Sequence, residues 1–333
     1  MRTIRFLACA ILMFGATACS KNESSNSTTN PSGAANSGAT QMRIAVIPKG
    51  TTHAYWKTVH AGADDAAKEQ KVDIIWKGPV KENDRSDQIA MVQQFVAQQV
   101  NGIVIAPLDY DGLAAPIADA SAKGIPVVVI DSAVKGTPGK DFVSFVATNN
   151  KAAGALGGEE LAKLLNNKGK VVLLRYEEGS ASTDERESGF LEAIARHPDI
   201  QVISSNQYAH ATQGEAKTTA LNMLDKLQQA DGIFCPNESS TLGMCGALKQ
   251  AGLAGKVKFV GFDATEPLIE ELKAGNINEL IAQNPRKMGY EGVKACAMAL
   301  RKEPVPAAID TGTAVVTKEN AETPEIRKVR GLE

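Results

Sequence analysis

At 333 residues and 43% hydrophobic content, the chain is long enough to bury two ordinary cores or one large one. Its 36 basic and 38 acidic residues leave a net charge of −2, without the basic excess of a nucleic-acid or polyanion binder. Aromatic residues make up only 5%, so one that falls at a loop tip carries weight as a binding candidate.

In chain order, the first feature is an export signal. Arg2 and Arg5 supply a positive start, and Phe6 to Ala16 form an apolar run too short to span a bilayer as a mature helix. Small residues then lead to Ala18-Cys19-Ser20. Cleavage after residue 18 makes Cys19 the new N-terminus, open to lipid attachment. The segment resembles the bacterial lipoprotein box, with Ala16 where that box prefers Leu. A plain signal peptide, cleaved nearby with Cys19 incidental, is the simpler alternative. Residues 19–41, mostly Ser, Asn, Thr, Gly and Ala, have no apolar periodicity and read as a flexible, lipid-anchored tether. No later run is long and apolar enough to cross a membrane, which places the body in the cell envelope, in the periplasm or on the outer face of the membrane.

From Met42 onward, short apolar strands alternate with amphipathic helices. The spacing predicts strands at Met42–Pro48, Val72–Trp76, Gly102–Ala106, Pro126–Asp131 and Val143–Val146, with helices at His53–Gln70, Asp84–Gln99 and Leu113–Lys123. The rhythm then restarts. Helices are predicted at Lys151–Leu165, Asp184–Arg196, Gly214–Gln228, Ser240–Ala251, Pro267–Ala274 and Lys287–Leu300. Strands fall at Lys170–Tyr176, Gln201–Tyr208, Gly232–Cys235, Val257–Phe262 and Glu279–Ala282. Val and Ile runs without alternation mean strands covered on both faces, hence parallel sheets with helical crossovers. The repeated rhythm implies α/β architecture: two Rossmann-like, doubly wound parallel-sheet domains. Of the five cysteines, Cys9 leaves with the leader and Cys19 is the lipidation candidate. Cys235, Cys245 and Cys296 remain, either simply packed or with one disulfide among them, and no spacing suggests a metal site.

Ligands in open α/β sheets sit beyond the carboxyl ends of the strands. Those ends read Lys49 to Trp56, Pro107-Leu108-Asp109, Asp131-Ser132, Glu177 to Ser180, Asn237-Glu238, Asp263-Ala264 and Gln283-Asn284. Carboxylates and amides suited to paired hydroxyl groups, with two aromatics, gather at one edge of both sheets, the equipment that a hydroxyl-rich ligand needs.

The runs GIVIAPLD, GIPVVVIDS, SASTDERESGF, IFCPNES and VGFDATEP, in this order and spacing, resemble the ribose-type branch of periplasmic sugar-binding proteins. These are the solute receptors of bacterial sugar ABC importers, and the resemblance runs from about Met42 to Lys318. It implies a type I periplasmic binding protein fold whose two lobes are joined by three crossings, near Ala147–Asn149, Gln283–Asn284 and Asp310–Gly312. The N-terminal lobe would comprise 42–147 plus 284–311, and the C-terminal lobe 148–283 plus 312–326. The helix Lys287–Leu300 would then return to the first lobe, where periodicity alone leaves it in the second. Carried over by position, the binding wall is Tyr55, Trp56, Asp131, Arg186, Asn237, Asp263 and Gln283, with Thr52 and His53 beside the aromatics. The implied partners are a monosaccharide or polyol, the importer's permease subunits and the membrane through Cys19, with no nucleic acid; a monomer suits the trap mechanism, and no cofactor or metal is implied. Departures from ribose receptors are Ala106 for the usual Asn, Ser132 for the usual Arg, and Ala209-His210-Ala211 where an aromatic is common.

Simpler roles compete for several of these residues. Asp131 and Asp263 could cap following helices, Arg186 could pair on the surface with Glu185 or Glu187, and Tyr55 or Trp56 could be core. Glu238 falls equally to either reading, and His60 and His197 are ordinary packing residues. An enzyme is disfavoured, since no GxSxG elbow, P-loop, HExxH or dinucleotide fingerprint is present. Asp131 and Asp263 facing each other across a cleft share only that placement with a glycosidase pair, which also needs one acid held protonated. A sugar-sensing repressor needs a DNA-reading helix pair where this chain has its leader. A receptor body feeding a membrane sensor or kinase uses the same cleft as an importer's receptor, and stays open as the alternative.

Overall fold

The computed structural model describes residues 42–332; the signal peptide, the Cys19 attachment point and the tether fall outside the described residues. The first half runs β1 (Arg43–Ile47), α1 (Ala54–Gln70), β2 (Asp73–Trp76), α2 (Arg85–Ala97), β3 (Gly102–Ile105), α3 (Ala114–Ala122), β4 (Val127–Ile130) and β5 (Ser144–Ala147). The second runs α4 (Asn150–Leu164), β6 (Gly169–Arg175), α5 (Ala181–Ile194), β7 (Ile200–Tyr208), α6 (Gln213–Asn222), α7 (Leu224–Leu227) and β8 (Gly232–Phe234). It continues through α8 (Glu238–Gln250), β9 (Lys258–Phe262), α9 (Glu266–Lys273) and β10 (Glu279–Gln283). The chain ends with α10 (Pro285–Leu300), β11 (Ala308–Asp310), β12 (Thr313–Val316) and α11 (Pro324–Val329).

Two six-stranded sheets result, ordered β2-β1-β3-β4-β5-β11 and β7-β6-β8-β9-β10-β12. Every pairing is parallel except β10 with β12. The two orders are the same, so the second half repeats the topology of the first. GIVI of β3 and VVVI of β4 are buried along their whole length because helices cover both faces of the sheet. The chain passes from one sheet to the other three times, at Thr148–Asn149, at Asn284 and at Thr311–Gly312. Helix α10 packs on the first sheet, where Met288, Val293 and Cys296 join the core cluster of Val104 and Val128.

Three departures from the periodicity have local causes. The single helix expected over Gly214–Gln228 breaks at Met223, whose N–H turns to the carbonyls of both Thr219 and Ala220. This tightened turn lets Met223 and Leu227 bury together. Helices α8 and α10 begin earlier than their apolar periods, at Glu238 and Pro285, because Asn237 and Asn284 cap them. Beyond Leu300, β11, β12 and α11 are three to six residues long, too short for a period to show. Cys235, Cys245 and Cys296 are buried and free, so the expectation of simple packing holds and the possible disulfide does not form.

Helix pairing in each half depends on glycine. A methyl group on Gly62 of α1 would overlap the Arg286 carbonyl of α10, and one on Gly289 would overlap that of Val59. In the second half, Gly154 of α4 meets Arg186 of α5 and Gly189 meets Lys151 in the same way. Backbone lies directly on backbone at both crossings, so neither helix can yield by moving a side chain. Gly62→Ala is therefore expected to destabilise by about 1–3 kcal/mol or more, as overpacking does. Gly214→Ala, at a helix position with open space around it, should be neutral or stabilising by about 0.4–1 kcal/mol. Thermal unfolding of both variants beside the wild type tests the contrast; equal midpoints for the two would contradict the crossing argument.

Candidate functional site

The carboxyl ends of both sheets face one small cavity. From the first lobe it is lined by Lys49, His53, Tyr55, Trp56, Glu82 and Asp131, and from the second by Tyr176, Ser182, Thr183, Arg186, Asn237, Glu238, Asp263 and Gln283. All but Glu82 end or follow a strand, or lie in the first two turns of the next helix. Gln88 of α2, fully buried, fixes the first-lobe ends by donating to the carbonyls of Pro48 and Ala106 and accepting from Leu108 N–H.

Asp131 and Asp263 occupy equivalent places. Each directly follows a central strand, β4 or β9, and each has a left-handed backbone, with φ of 64° and 71°. Each N–H donates to the next strand, Asp131 to the Val146 carbonyl and Asp263 to that of Ile281. Such conformations are uncommon outside glycine, and here they turn both carboxylates into the cavity. Neither caps the helix that follows it: no helix lies between Asp131 and β5, and the N-cap of α9 is Thr265, while the Asp263 carboxylate accepts from the Glu238 N–H at the start of α8.

The charged groups are paired. Lys49 reaches Asp131 at 3.2 Å and donates to Ser180 and Ser182. The Tyr55 hydroxyl donates to Asp131 at 3.1 Å. Glu82 accepts from Trp56 Nε1 at 2.7 Å, from the Tyr176 hydroxyl at 2.9 Å, and pairs with His53 Nδ1 at 2.5 Å. Burial alone would lower the His53 pKa, but the Glu82 carboxylate outweighs it and raises His53 to about 9. Glu82, against the same pull of burial, is held down at about 2 by His53, Lys49 and Trp56. Burial raises Asp263 to about 6, although Arg186 and the Gln283 amide oppose the shift.

Arg186 is 2% exposed, lies 4.0 Å above the Phe262 ring, and donates through Nε to Asn150 and through Nη1 to the Pro236 carbonyl. Its Nη2 is buried without a hydrogen-bond partner among the described residues. The surface pairing with Glu187 does not occur, because Arg175 takes that carboxylate at 2.8 Å.

Eight of the nine sequence candidates thus surround one cavity, and Thr52 does not: it is exposed, with its hydroxyl on the Val80 carbonyl. Two of the eight have their polar ends occupied by the protein. Asn237 caps α8 and donates to Ser239, while Gln283 donates to Asp263 and accepts from Thr148. Lys49, Glu82, Tyr176, Ser182 and Thr183 were not among the candidates. Lys49 is among the strand-end residues of the sequence but not in its expected binding wall, and Tyr176 is the expected end of a strand that stops at Arg175; Glu82 lies in a turn without such a signal. Elsewhere, His60 stacks on Trp76 and His197 pairs with Glu159. Among the described residues no cluster of His, Cys, Asp and Glu is placed to hold a metal ion, and no helix is long and apolar enough to cross a membrane.

Comparison with known proteins adds a family context. A model described as "Periplasmic binding protein domain" matches residues 44–304. The D-allose-binding periplasmic protein of Escherichia coli strain K12 is 30% identical over 255 residues, covering 75% of this chain and 82% of the relative. Among solved structures, an ABC transporter solute-binding protein from Agrobacterium vitis with bound D-fucose is 36% identical with a TM-score of 0.83, covering 86% of this chain and 99% of the other. A carbohydrate transporter solute-binding protein from Agrobacterium radiobacter in complex with D-arabinose is 31% identical with a TM-score of 0.82, covering 87% and 99%.

The His53–Glu82 pair sets a pH window. His53 stands above its ordinary value of 6.5, so its stabilisation is complete below 6.5 and is lost as pH rises through about 9. Glu82 stands below 4.5, so its share is complete above 4.5 and is lost only as pH falls towards 2. The wild type should therefore lose stability of the order of 2 kcal/mol between pH 6.5 and 9.5. Thermal unfolding across that range should show His53→Gln without the decline; a decline equal to the wild type's would remove His53 as its source.

Proposed function

The chain belongs to the periplasmic binding protein domain family and has its type I two-domain fold, and from this premise we propose that it captures one uncharged monosaccharide or related polyol between its lobes and delivers it to a membrane ABC importer. It is a binder and not an enzyme, in keeping with its sugar-binding relatives. The observation that carries the ligand reading is Arg186 Nη2, a buried donor without a partner among the described residues, in a cavity where Lys49 pairs with Asp131 and His53 with Glu82. A hydroxyl or ring oxygen would accept from it, while Asp131 and Asp263 accept from further hydroxyls. The cavity holds three basic side chains (Lys49, His53, Arg186) and four acidic ones (Glu82, Asp131, Glu238, Asp263), a near balance that favours a neutral guest. Trp56 and Tyr55 offer apolar surface for the C–H side of a ring. The bound sugars of the Agrobacterium proteins, D-fucose and D-arabinose, are of this class.

The proposed lobes are 42–147 plus 284–311 and 148–283 plus 312–326, hinged where the chain crosses between sheets. Closing on the ligand then presents a surface for the permease to recognise. Cys19 is proposed as the lipid attachment point, holding a monomer at the membrane by the tether of residues 19–41.

Thermal unfolding against pentoses, hexoses, deoxy-sugars and polyols tests the proposal. A sugar at a hundredfold over its Kd should stabilise by about 2.7 kcal/mol, and Asp263→Ala should abolish the rise. Arg186→Lys, which removes the planar fork, should weaken binding at least tenfold. If no polyhydroxy compound raises the midpoint, the ligand class is wrong. Loss of labelled-sugar uptake on deleting the gene would favour the importer; unchanged uptake would favour the sensor.

A further inference from the structure

The helix that follows the first strand of each sheet, α1 or α5, begins without a side-chain cap of its own. In α1 the N-cap is His53, whose side chain makes no capping bond, and the first turn holds no acidic residue. In α5 the N-cap Ser180 makes no side-chain capping bond either. The first N–H groups of a helix have no partner within it, so both starts need an acceptor from elsewhere. The acceptor comes in each case from the opposite lobe. Glu238 reaches across the cleft to α1, with Oε1 accepting from Ala54 N–H at 3.2 Å and Oε2 from Tyr55 N–H at 2.9 Å. Ser132 reaches the other way, its hydroxyl oxygen accepting from Ser182 N–H at 3.1 Å. Both are buried, at 5% and 0% exposure.

We propose that these reciprocal caps form a latch that holds the two lobes closed, with Glu238 as its main residue and Ser132 as its counterpart. Opening the cleft breaks both caps, returning the N–H groups of two helices to water and a buried carboxylate to solvent. The Glu238 contact is the stronger of the two. It is two-pronged and charge-assisted, and the carboxylate lies at the positive ends of two helices at once, α1 and its own α8. Neither residue is needed to cap its own lobe, since α8 already has the Asn237–Ser240 capping box. Ligand-free closure follows from the latch alone; its effect on ligand release rests on the binding reading above.

Four variants test it. Glu238→Ala removes the acceptor, Glu238→Gln its charge, and Ser132→Ala the counterpart. Ala54→Pro removes one donor from the other lobe at the first helical position, where proline is well tolerated. His53 before it already has the extended backbone that a following proline requires. Small-angle scattering of the ligand-free protein reads the fraction closed, and stopped-flow measurement reads release of whichever sugar the unfolding screen identifies. Glu238→Ala should enlarge the radius of gyration and speed release about tenfold, in the range a lost cap provides. Glu238→Gln, Ser132→Ala and Ala54→Pro should act in the same direction but less. Wild-type radii and release rates across the series overturn the latch. If no sugar binds, the ligand reading fails separately and scattering alone decides. If Glu238→Ala does not fold, Ala54→Pro and Ser132→Ala carry the test.

Discussion

Four carboxylates cannot be buried in one small cleft unless each finds a cation, a donor or a proton. Much of the site's arrangement answers that constraint. Asp131 takes Lys49 and the Tyr55 hydroxyl; Glu82 takes His53, Trp56 and Tyr176. Glu238 takes two helix-end amides. Asp263 takes the amide of Gln283 and the N–H of Glu238, and burial pushes it up to about 6. Asp263 and the unpaired outer nitrogen of Arg186 stand in the same lobe, and both residues line the same cavity. A hydroxyl placed between them would donate to Asp263 and accept from Arg186, a donor left without a partner among the described residues.

The molecule answers its design problems twice. Both sheets have the same strand order, both central strands end in a left-handed aspartate, and both leading helix pairs cross through opposed glycines. The caps across the cleft follow the same near-symmetry, since α1 and α5 follow the first strand of their respective sheets. What breaks the symmetry is the chemistry of the second copy. Ser132 offers a neutral hydroxyl where Glu238 offers a charge, and β12 runs antiparallel where β11 runs parallel. A shared framework with unequal side chains gives a ligand two distinguishable walls.

The fold was legible because unbroken Val and Ile runs can only be doubly covered strands, and the helices between them are long enough to show a period. The carboxylates of Asp131 and Asp263 were legible for a related reason: polar residues ending apolar strands stand at the sheet edge whatever the loops do. Residues whose role depends on tertiary contact were less so. Glu82 lies in the turn before α2, and nothing local shows that three side chains will converge on it. The candidates Asn237 and Gln283 were read as free amides, yet a helix end and a crossing segment have taken both of their ends. For Arg186 the competing local reading, a surface pair with Glu185 or Glu187, gives way to burial, and Glu187 is claimed by Arg175 of β6.

Gln283 also suggests how the cleft and the crossings could act together. It ends β10 just before the chain returns to the first lobe at Asn284, and its amide donates to Asp263 while its oxygen accepts from Thr148. Thr148 lies in the first crossing and is 3.3 Å from the hydroxyl of Thr311 in the third. One chain of buried polar groups therefore runs from Asp263 in the cavity to the first and third connections between the lobes, starting one residue before the second. A guest that donates to Asp263 changes what Gln283 must supply, and Gln283 cannot adjust without disturbing Thr148. Binding energy enters such a system as a preference for the geometry in which the whole chain is satisfied, which is the meaning of a ligand shifting a population. Closure would then be held across the cleft, by the helix caps together with the Lys49–Ser182 and Tyr176–Glu82 bonds, and by this chain at its hinge.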